Sequence, residues 1–302
     1  MAKKVLIIDE VHPSLAADLR SLGFEVDEQP QIHPNEVQLG GYQGLVLRSK
    51  MSLGAKELVG STLEFIARAG AGLDLIDEAY CSANQIAVFS ANEGNRDAVA
   101  EHVIGQLITL ARKINTADTQ VRHGIWDREG NRGWELQGKT LGIIGYGNMG
   151  QSLAKKLQGF VMYILAYDKY APATHALKDI FEQADILSLH VPLTDQTKEM
   201  VNSAFIEQFK KPIVLINSSR GGVCSLEALA AGLTSSKLRG LALDVLPNEK
   251  LATWTATEKT LFDQIASHPM TLFSPHVAGW TTESYWKIND ALIDKIKTHY
   301  QL

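Results

Sequence analysis

The sequence predicts an α/β fold built from two doubly wound, parallel-sheet domains with a cleft between them. Short apolar strands alternate with amphipathic helical segments along the whole chain, which is typical of parallel sheets covered by helices. These strands fall into two series, separated by one long helical segment and a stretch containing Gly and Trp. The length of 302 residues also suits two domains, each large enough to bury its own core.

The first series of elements runs from the N-terminus to about residue 115. Its strands are short and apolar and are predicted at residues 5–9, 44–48, 64–67 and 86–89, and the last three each end near Gly, Ser or Asn. A helix is predicted at residues 13–22, since three leucines at helical spacing share one face. A longer amphipathic helix is predicted at residues 96–115, and His102 on this helix is interpreted as structural.

The second series follows a Gly/Trp-containing stretch at residues 123–138. Its strands are predicted at residues 140–144, 163–167, 186–190, 213–217, 240–244 and 271–273. A final helix at residues 283–299 is expected to return to the first series. The predicted domains are therefore a discontinuous one, residues 1–96 with 280–302, and a second one, residues 97–279.

Composition excludes several classes of protein. The longest uninterrupted apolar run, residues 160–167, is much shorter than a membrane-spanning helix, so no membrane association is expected. A formal net charge of −5 without dense Lys/Arg runs argues against nucleic-acid binding. Cys81 and Cys224 offer neither a disulfide framework nor a thiolate metal cluster. The histidines also lack the spacing of metal ligands, so we expect a cytoplasmic globular protein without a metal site.

The strongest local signal is a glycine-rich turn after the first strand of the second series. Gly145, Gly147 and Gly150 form a Gly-x-Gly-x-x-Gly motif that opens a helical segment. Gly145 permits the tight turn, Gly147 lets the backbone approach a pyrophosphate, and Gly150 allows the helix to pack closely on the strand. The N–H groups near Asn148 and Met149 are expected to meet the phosphates at the helix N-terminus. The motif therefore predicts a Rossmann-type dinucleotide site.

An acidic residue indicates which dinucleotide binds there. Asp168 lies eighteen residues beyond Gly150, at the end of the next predicted strand. A carboxylate at this position accepts hydrogen bonds from the adenosine ribose hydroxyls and repels a 2′-phosphate. The sequence therefore predicts NAD as the cofactor, although the neighbouring Lys169 lowers the selectivity against NADP.

The residues that carry the chemistry are expected after three later strands. The segments read Asn217-Ser-Ser-Arg220-Gly, Leu243-Asp244-Val…Glu249 and Pro275-His276-Val-Ala-Gly279. Since the carboxyl ends of parallel strands form one edge of a sheet, Arg220, Asp244 and His276 are expected to converge. In order and spacing, these segments resemble the signatures of the D-isomer-specific 2-hydroxyacid dehydrogenase family. The resemblance extends over essentially the whole chain.

The resemblance implies an enzyme that transfers a hydride between NAD(H) and a D-2-hydroxy acid or 2-keto acid. It implies that His276 is the general acid/base, that Glu249 is its partner, and that Arg220 binds the substrate carboxylate and polarises the carbonyl. These residue types suit the chemistry, because the alkoxide formed by hydride addition needs a proton that imidazolium supplies near neutral pH. A guanidinium group binds a carboxylate through two hydrogen bonds and keeps its charge.

The resemblance also implies roles for residues around these three. It makes residues 1–96 with 280–302 the substrate-binding domain and residues 97–279 the NAD-binding domain. The other residues expected near the cofactor are Ala71, Val191 and Pro192 (the latter two in a loop on the adenine side), Ser218, Ser219, Asp244 and Gly279, with Arg220 and His276 beside the nicotinamide. The residues expected near the substrate are Arg48, Arg68, Ala71, Gly72, Arg220 and His276.

The resemblance leaves the substrate open. Arg48 and Arg68 look most like the 3-phosphoglycerate dehydrogenase branch, in which two matching arginines contact the substrate phosphate. The favoured pair is therefore 3-phosphoglycerate and 3-phosphohydroxypyruvate, in serine biosynthesis, in a short form without a C-terminal regulatory domain. A glyoxylate/hydroxypyruvate or other 2-keto acid reductase is the alternative enzyme, because arginine after the third strand is common in the family. An NADH-sensing interaction protein on the same fold is the other alternative, which the intact catalytic trio disfavours.

Some residues beside the expected site depart from the family pattern. Cys224-Ser225 stands where an apolar residue followed by Asp is common, and Leu246-Pro247 replaces an aromatic–acid pair. Lys250 replaces the proline that usually follows the glutamate. These differences bear on the substrate rather than on the type of reaction.

A homodimer is expected because residues 97–138 resemble the family's interdomain and dimerisation helix with its arm. Trp126 and Trp134 lie in this arm. Exposed aromatic side chains are typical of a subunit interface.

Overall fold

Two parallel β-sheets organise the chain, each covered by helices. The structure is a computed structural model that describes residues 2–171 and 175–302. It divides into one unit of residues 1–96 with 280–302 and another of residues 97–279. This architecture confirms the predicted α/β class with two Rossmann-like, doubly wound sheets.

The first unit is built on a parallel sheet. Its strands are β1 (Lys4–Ile7), β2 (Glu25–Glu28), β3 (Gly44–Leu47), β4 (Phe65–Arg68) and β5 (Ala87–Ser90). They pair in the order β2-β1-β3-β4-β5. The helices of this unit are α1 (Ser14–Ser21), α2 (Ala55–Leu58), α3 (Glu78–Ala83) and, at the end of the chain, α11 (Thr282–Tyr300).

Burial in this unit follows the alternation of side chains along a strand. Val5 and Ile7 of β1 pack in an apolar cluster with α1 and α11, whereas Leu6 and Ile8 pack in another cluster with α2 and α3. Helix α11 contributes apolar residues at four-residue spacing, namely Ile288, Leu292 and Ile296. This stripe explains why the last helix of the chain belongs to the first unit.

Strand β2 is one element that the sequence analysis does not predict. It pairs with β1 alone, at the edge of the sheet, and its sequence is Glu-Val-Asp-Glu. None of these side chains is buried, so no apolar pattern marks the strand. Charged side chains on an edge strand also disfavour pairing with another chain.

The second unit is built on a larger parallel sheet. Its strands are β6 (Thr140–Ile144), β7 (Tyr163–Tyr167), β8 (Ile186–Leu189), β9 (Ile213–Asn217), β10 (Leu238–Leu243) and β11 (Thr271–Phe273). They pair in the order β11-β10-β9-β8-β6-β7. The helices are α4 (Arg96–Arg112), α5 (Ile114–Arg122), α6 (Asn148–Lys156), α7 (Leu177–Gln183), α8 (Ser203–Glu207), α9 (Leu226–Thr234) and α10 (Ala256–Ala266).

The chain order of this sheet reverses at β6, which has β7 on one side and β8 on the other. In open parallel sheets, ligands bind beyond the carboxyl ends of the strands at such a switch point. Buried apolar side chains cover both faces of the sheet and hold the strand ends in register. The fold of this unit therefore presents its strand-end loops on a rigid support.

The predicted helix at residues 96–115 is divided in two by the structure. Lys113 has a φ of 52°, in the left-handed region, and it separates α4 from α5. The Lys113 ammonium donates to the carbonyl of Gly130 at 2.8 Å, and the N–H of Trp134 donates to the carbonyl of Ala111 at 2.9 Å. The arm thus folds back onto the end of α4, and these long-range bonds offset the cost of the break.

Within residues 2–171 and 175–302, no helix is both long and apolar enough to cross a membrane. In the same residues, no group of three or more His, Cys, Asp or Glu side chains is arranged to hold a metal ion. Cys81 and Cys224 are free, buried thiols, and burial raises the pKa of Cys224 to about 12.

Candidate active site

The second sheet carries the predicted cofactor and catalytic residues at the carboxyl ends of its strands. The glycine motif follows β6, Asp168 follows β7, and Val191 and Pro192 come after β8. The loops after β9, β10 and β11 carry Ser218, Ser219 and Arg220, then Asp244 and Glu249, then His276 and Gly279. Because these parallel strands are neighbours, their end loops lie along one edge of the sheet.

The glycine turn packs tightly against the loop that follows β8. Gly145 has a φ of 93°, and a Cβ atom built on it lies 2.6 Å from the backbone carbon and oxygen of His190. A Cβ atom on Gly150 lies 2.3 Å from the carbonyl oxygen of Gly145. A Cβ atom on Gly147 meets nothing within 4 Å. Gly145 and Gly150 are thus required by the fold, whereas Gly147 leaves open space for a ligand.

Helix α6 begins beside that space. Gly147 is its N-cap residue and is extended, so Asn148 and Met149 occupy the first turn. The N–H groups of a first helical turn lack partners within the helix, and the helix dipole favours an anion there. These features suit the pyrophosphate of a dinucleotide.

Asp168, which is predicted to bind the ribose, also holds the glycine loop. Its Oδ2 accepts the N–H of Tyr146 at 2.7 Å, and its Oδ1 accepts the N–H groups of Tyr170 at 2.8 Å and Ala171 at 3.1 Å. Burial raises the pKa of this carboxyl, but the three backbone N–H groups outweigh burial and leave the pKa lowered. Asp168 is therefore ionised at neutral pH, as an acceptor of ribose hydroxyls must be.

The loop after β9 contains a polar atom that has no partner. Ser218 Oγ is buried and makes no hydrogen bond to any residue that the structure describes. A buried, unpaired hydroxyl is costly unless a ligand satisfies it. A nicotinamide ribose or amide can supply that hydrogen bond, so Ser218 and the open space at Gly147 both fit a bound NAD.

Asn217, to which the sequence analysis assigned no role, fixes the same loop. Its side chain is fully buried; Oδ1 accepts both the N–H and the hydroxyl of Ser219, at 3.0 and 2.8 Å. Its Nδ2 donates to the carbonyl of Arg220 at 3.0 Å. A polar residue that ends a buried strand is the signal that points to such a role. Asn217 thereby sets the backbone that carries Arg220.

Arg220 is followed by glycine because another loop passes directly beside it. A Cβ atom on Gly221 lies 2.0 Å from the backbone carbon and oxygen of Leu246. The guanidinium group of Arg220 donates from Nη1 to the carbonyl of Ser219 at 2.7 Å. This close passage brings the loop after β10, which carries Glu249, against the loop of Arg220.

His276 and Glu249 form the pair that the family resemblance implies. Nδ1 of His276 lies 2.9 Å from Oε1 and 3.1 Å from Oε2 of Glu249. Both side chains are about half exposed. In the described part of the chain nothing bonds to the other ring nitrogen, Nε2. The carboxylate therefore orients the ring by Nδ1 and leaves Nε2 to exchange a proton with a substrate.

Asp244 is buried beneath the loop that carries His276. Its Oδ1 accepts the hydroxyl of Ser274 at 2.6 Å and the N–H of Val277 at 2.9 Å, and its Oδ2 accepts the N–H of Ala278 at 2.9 Å. Its main-chain carbonyl accepts the N–H of His276 at 2.7 Å. The side chain is fully covered. Asp244 thus holds the backbone on both sides of His276.

In the first unit, Arg48 lies at the carboxyl end of β3 and is held by its backbone. Asp9, at the end of β1, accepts the N–H groups of Arg48, Ser49 and Lys50 on one oxygen, at 2.6, 3.0 and 3.1 Å. The guanidinium group of Arg48 stacks over the ring of Trp280 at 4.1 Å. It forms no ion pair with a carboxylate among the described residues. Its charge is therefore available to an anion.

Arg68, at the end of β4, lies beside Arg48. Its Nε donates to the carbonyl of Arg48 at 3.1 Å. Its guanidinium group also occupies the space next to Gly70, where a Cβ atom would lie 1.7 Å from Nη1. Gly70 has a φ of 155°. Gly70 is thus needed for the backbone conformation, and the end of the Arg68 side chain fills the space beside it.

The loop that follows offers backbone donors. The N–H groups of Ala71 and Gly72 make no hydrogen bond within the residues that the structure describes, and both residues are half-buried. Two neighbouring N–H groups of this kind can bind a carboxylate. The structure thus brings Arg48, Arg68, Ala71 and Gly72 to the ends of adjacent strands in the first sheet.

Comparison with known families gives one match over more than half of the chain. The sequence profile described as "D-isomer specific 2-hydroxyacid dehydrogenase, NAD binding domain" matches residues 104–278. These residues include the glycine motif, Asp168, Arg220, Glu249 and His276.

Curated relatives cover nearly all of this chain. It is 34% identical to a hydroxypyruvate reductase from Thermotoga maritima, over 92% of this chain and 90% of that protein. It is 31% identical to a D-3-phosphoglycerate dehydrogenase from Mycobacterium tuberculosis, over 93% of this chain and 53% of that protein. Among the similar proteins that carry the D-3-phosphoglycerate dehydrogenase name, the chain spans between 53% and 64% of their length.

A solved structure has the same fold. The structure of a D-lactate dehydrogenase from Aquifex aeolicus, complexed with NAD and lactic acid, gives a TM-score of 0.83. The two chains are 23% identical, and the alignment covers 99% of this chain and 96% of that one. At 23% identity, this similarity shows the fold alone.

Proposed function

Because the chain belongs to the D-isomer specific 2-hydroxyacid dehydrogenase family, we propose that it interconverts 3-phosphohydroxypyruvate and 3-phosphoglycerate. The family consists of NAD-dependent oxidoreductases that act on CH–OH groups, and the chain is therefore an enzyme of that kind. The proposal adds the substrate and the residue roles. The observation that carries the chemistry is the His276–Glu249 pair, in which Nε2 of the imidazole bonds to none of the residues that the structure describes.

Each catalytic side chain has a distinct task in the proposed reaction. NADH, when bound, supplies the hydride that reduces the keto carbon. His276 gives the proton from Nε2 to the substrate oxygen, while Glu249 stabilises the imidazolium form through Nδ1. Arg220 binds the substrate carboxylate and polarises the carbonyl with its permanent charge. In the reverse direction Nε2 accepts the proton from the hydroxyl group.

The proposed phosphate specificity depends on Arg48. Its guanidinium group is stacked on Trp280 and lacks a carboxylate partner among the described residues, while its backbone N–H donates to the Asp9 carboxylate. A stacked guanidinium keeps its N–H edge free for a dianionic phosphate. Arg68 adds a second positive charge beside it. A substrate phosphate would be recognised by this pair, whereas a plain 2-keto acid offers it nothing.

The similarity to a hydroxypyruvate reductase favours a second candidate function, the reduction of an unphosphorylated 2-keto acid. Both candidates use the catalytic trio, but they assign different roles to Arg48 and Arg68, because only a phosphorylated substrate offers these arginines a phosphate. We therefore propose assays of NADH oxidation with 3-phosphohydroxypyruvate, hydroxypyruvate, glyoxylate and pyruvate. A kcat/KM that is highest for the phosphorylated acid supports the first candidate. A preference for hydroxypyruvate or glyoxylate overturns it and leaves the reaction type intact.

Replacing the two arginines tests the substrate assignment directly. We expect Arg48→Ala and Arg68→Ala each to lower kcat/KM for 3-phosphohydroxypyruvate by about 10- to 100-fold, the value of a lost charged contact. For hydroxypyruvate the change should stay within about threefold, because no phosphate contact is lost. Steady-state kinetics with both substrates measures the difference. Arg20→Ala, on the exposed surface of the same unit, is the matched control.

Equal losses with phosphorylated and unphosphorylated substrates would contradict a phosphate-binding role. They would instead indicate that the arginines shape the loop through the contact of Arg68 with the Arg48 carbonyl.

Under the proposed specificity, the enzyme acts in serine biosynthesis, in the cytoplasm, where its free thiols remain reduced.

We also propose that the enzyme is a homodimer joined through α5 and the arm. The exposed apolar side chains of this region are Ile114, Val121, Ile125 and Trp126. Trp126 is 79% exposed, whereas Trp134 is partly covered and stacks with Arg239 at 4.9 Å. The interface proposal therefore depends on Trp126, and the part of the arm that holds Trp134 packs on its own subunit.

Replacing the exposed tryptophan tests this interface. We expect Trp126→Ser to shift the protein from dimer to monomer, since the change removes the most exposed of the apolar side chains in this region. Size-exclusion chromatography with light scattering measures the molecular mass. Trp286→Ser, on α11, is the control and should leave the mass unchanged. A wild-type protein that is already monomeric at micromolar concentration would refute the proposal.

A further inference from the structure

Helix α4 directs two polar side chains at one hydroxyl group in the second unit. His102 Nε2 lies 2.9 Å from Ser274 Oγ, and Gln106 Nε2 lies 3.2 Å from the same atom. The two residues are four positions apart, so they share a face of the helix. Ser274 stands two positions before His276 in the chain. This contact therefore joins α4 to the loop of the proposed acid/base.

The direction of each hydrogen bond follows from proton counting. Ser274 has one hydroxyl proton, and its 2.6 Å contact with Asp244 uses that proton, because an ionised carboxylate only accepts. Ser274 Oγ must then accept from both nitrogens on α4. His102 therefore carries its proton on Nε2, and Gln106 presents its amide N–H₂. The result is a chain of donors that runs from α4 through Ser274 to Asp244.

Asp244 in turn holds an unfavourable backbone conformation at His276. His276 has a φ of 54°, in the left-handed region that a residue with a side chain rarely adopts. The carbonyl of Asp244 accepts the N–H of His276, and its carboxylate accepts those of Val277 and Ala278. The buried carboxylate needs the Ser274 donor as well, since it is fully covered. If the Ser274 hydroxyl were lost, the Asp244 carboxylate could shift, and the loop of His276 could then relax.

We propose that His102 is a positioning residue for His276, acting through Ser274 and Asp244. It sets the direction of the Nε2 atom of His276 without touching the substrate. This inference rests on the proposed function for the identity of the acid/base. It changes the interpretation of His102 from a packing residue to a part of the catalytic apparatus.

Removing the donors His102 and Ser274, singly and together, tests the proposal in a double-mutant cycle. We expect His102→Leu and Ser274→Ala each to lower kcat about tenfold, because a small displacement of a catalytic group is costly. The Kd for NADH and the melting temperature should change little. The double variant should lose less than the product of the two single losses, because His102 and Ser274 both act on Asp244, and Nε2 of His102 also lies 3.6 Å from its Oδ1. Steady-state kinetics, NADH fluorescence titration and thermal unfolding supply the three readouts.

Two further variants separate positioning from packing. His102→Gln keeps an N–H donor of similar reach and should recover kcat to within about threefold of the wild type. His33→Leu makes the same chemical change at an exposed histidine of the first unit, and it should leave kcat unchanged. If His102→Leu lowers only the melting temperature, or if the losses in the cycle multiply, the proposal is wrong.

A readout without turnover keeps this inference separate from the proposed function. The ¹⁵N signals of the His276 ring, recorded on the protein without NADH, report the hydrogen bond of Nδ1 with Glu249. We expect His102→Leu to move these signals and His33→Leu to leave them in place. Unmoved signals in His102→Leu overturn the inference. A wild-type enzyme that reduces no 2-keto acid overturns the proposed function, while a shift of the His276 signals still supports the network.

Discussion

Replacement of His276 by alanine is expected to lower kcat by about 10³-fold or more, the range in which general acid–base catalysis contributes. Without the imidazole, the oxygen of the reduced carbon must take its proton from water. NADH binding should persist, because the glycine turn, Asp168 and Ser218 remain in place. Stopped-flow or steady-state oxidation of NADH, together with a fluorescence titration of NADH, measures both quantities.

The partner carboxylate provides the control for this prediction. Glu249→Gln keeps a hydrogen bond to Nδ1 of His276 but removes the negative charge, so we expect a smaller loss of about 10- to 100-fold in kcat. The double variant should be about as slow as His276→Ala alone, since Glu249 acts only through the imidazole. A His276→Ala enzyme that kept more than a tenth of the wild-type kcat would show that another group supplies the proton.

Replacing two glycines of the dinucleotide motif by alanine should affect different properties: stability at Gly145 and NADH affinity at Gly147. Gly145→Ala is expected to lower the free energy of unfolding by about 2 kcal/mol or more. The added Cβ meets the His190 backbone at 2.6 Å, and a φ of 93° disfavours any side chain. Urea denaturation of the variant and the wild type measures this loss.

Gly147→Ala is the matched variant. Its φ is −77° and its Cβ has nothing within 4 Å, so the free energy of unfolding should change by less than about 0.5 kcal/mol. The same methyl group occupies the space that the pyrophosphate approaches, so the Kd for NADH should rise about tenfold or more. If Gly147→Ala bound NADH as tightly as the wild type, the dinucleotide would have to lie elsewhere. If Gly145→Ala were as stable as the wild type, the close packing against His190 would be wrong.

Local patterns predicted those elements whose residues are apolar and regular. The strands of the second sheet were predicted to within two residues of their observed bounds, because each is a short buried run. The glycine motif was identified because its function requires fixed spacing. Strand β2 was missed, since its acidic residues show no apolar alternation. The end of α4 at Lys113 was also missed, because the bonds that stabilise the break come from the arm, at Gly130 and Trp134.

The candidate site likewise contains residues that the sequence predicts and residues that only the structure reveals. The residues that carry chemistry were found through motifs whose order resembles a known family, and the structure places His276 against Glu249 as that resemblance implies. The residues that hold them could not. Asn217, Asp9 and Ser274 are polar residues at strand ends, a position that many unimportant residues share. Only their hydrogen bonds distinguish them: Asn217 and Asp9 bond to backbone groups 2 to 41 residues away, and Ser274 donates to the Asp244 carboxylate.

By itself the sequence determined the class of fold, the cofactor and the type of reaction. The fold class and the cofactor follow from local spacing and residue type, and the type of reaction follows from the resemblance of the motifs to a known family. None of these needs knowledge of distant contacts. The tertiary structure alone decided that Asp244 is buried beneath the His276 loop, that Arg48 stacks on Trp280, and that His102 reaches Ser274. Each of these contacts joins residues that lie far apart in the chain. Their energy depends on burial, and burial is a property of the folded packing rather than of any segment.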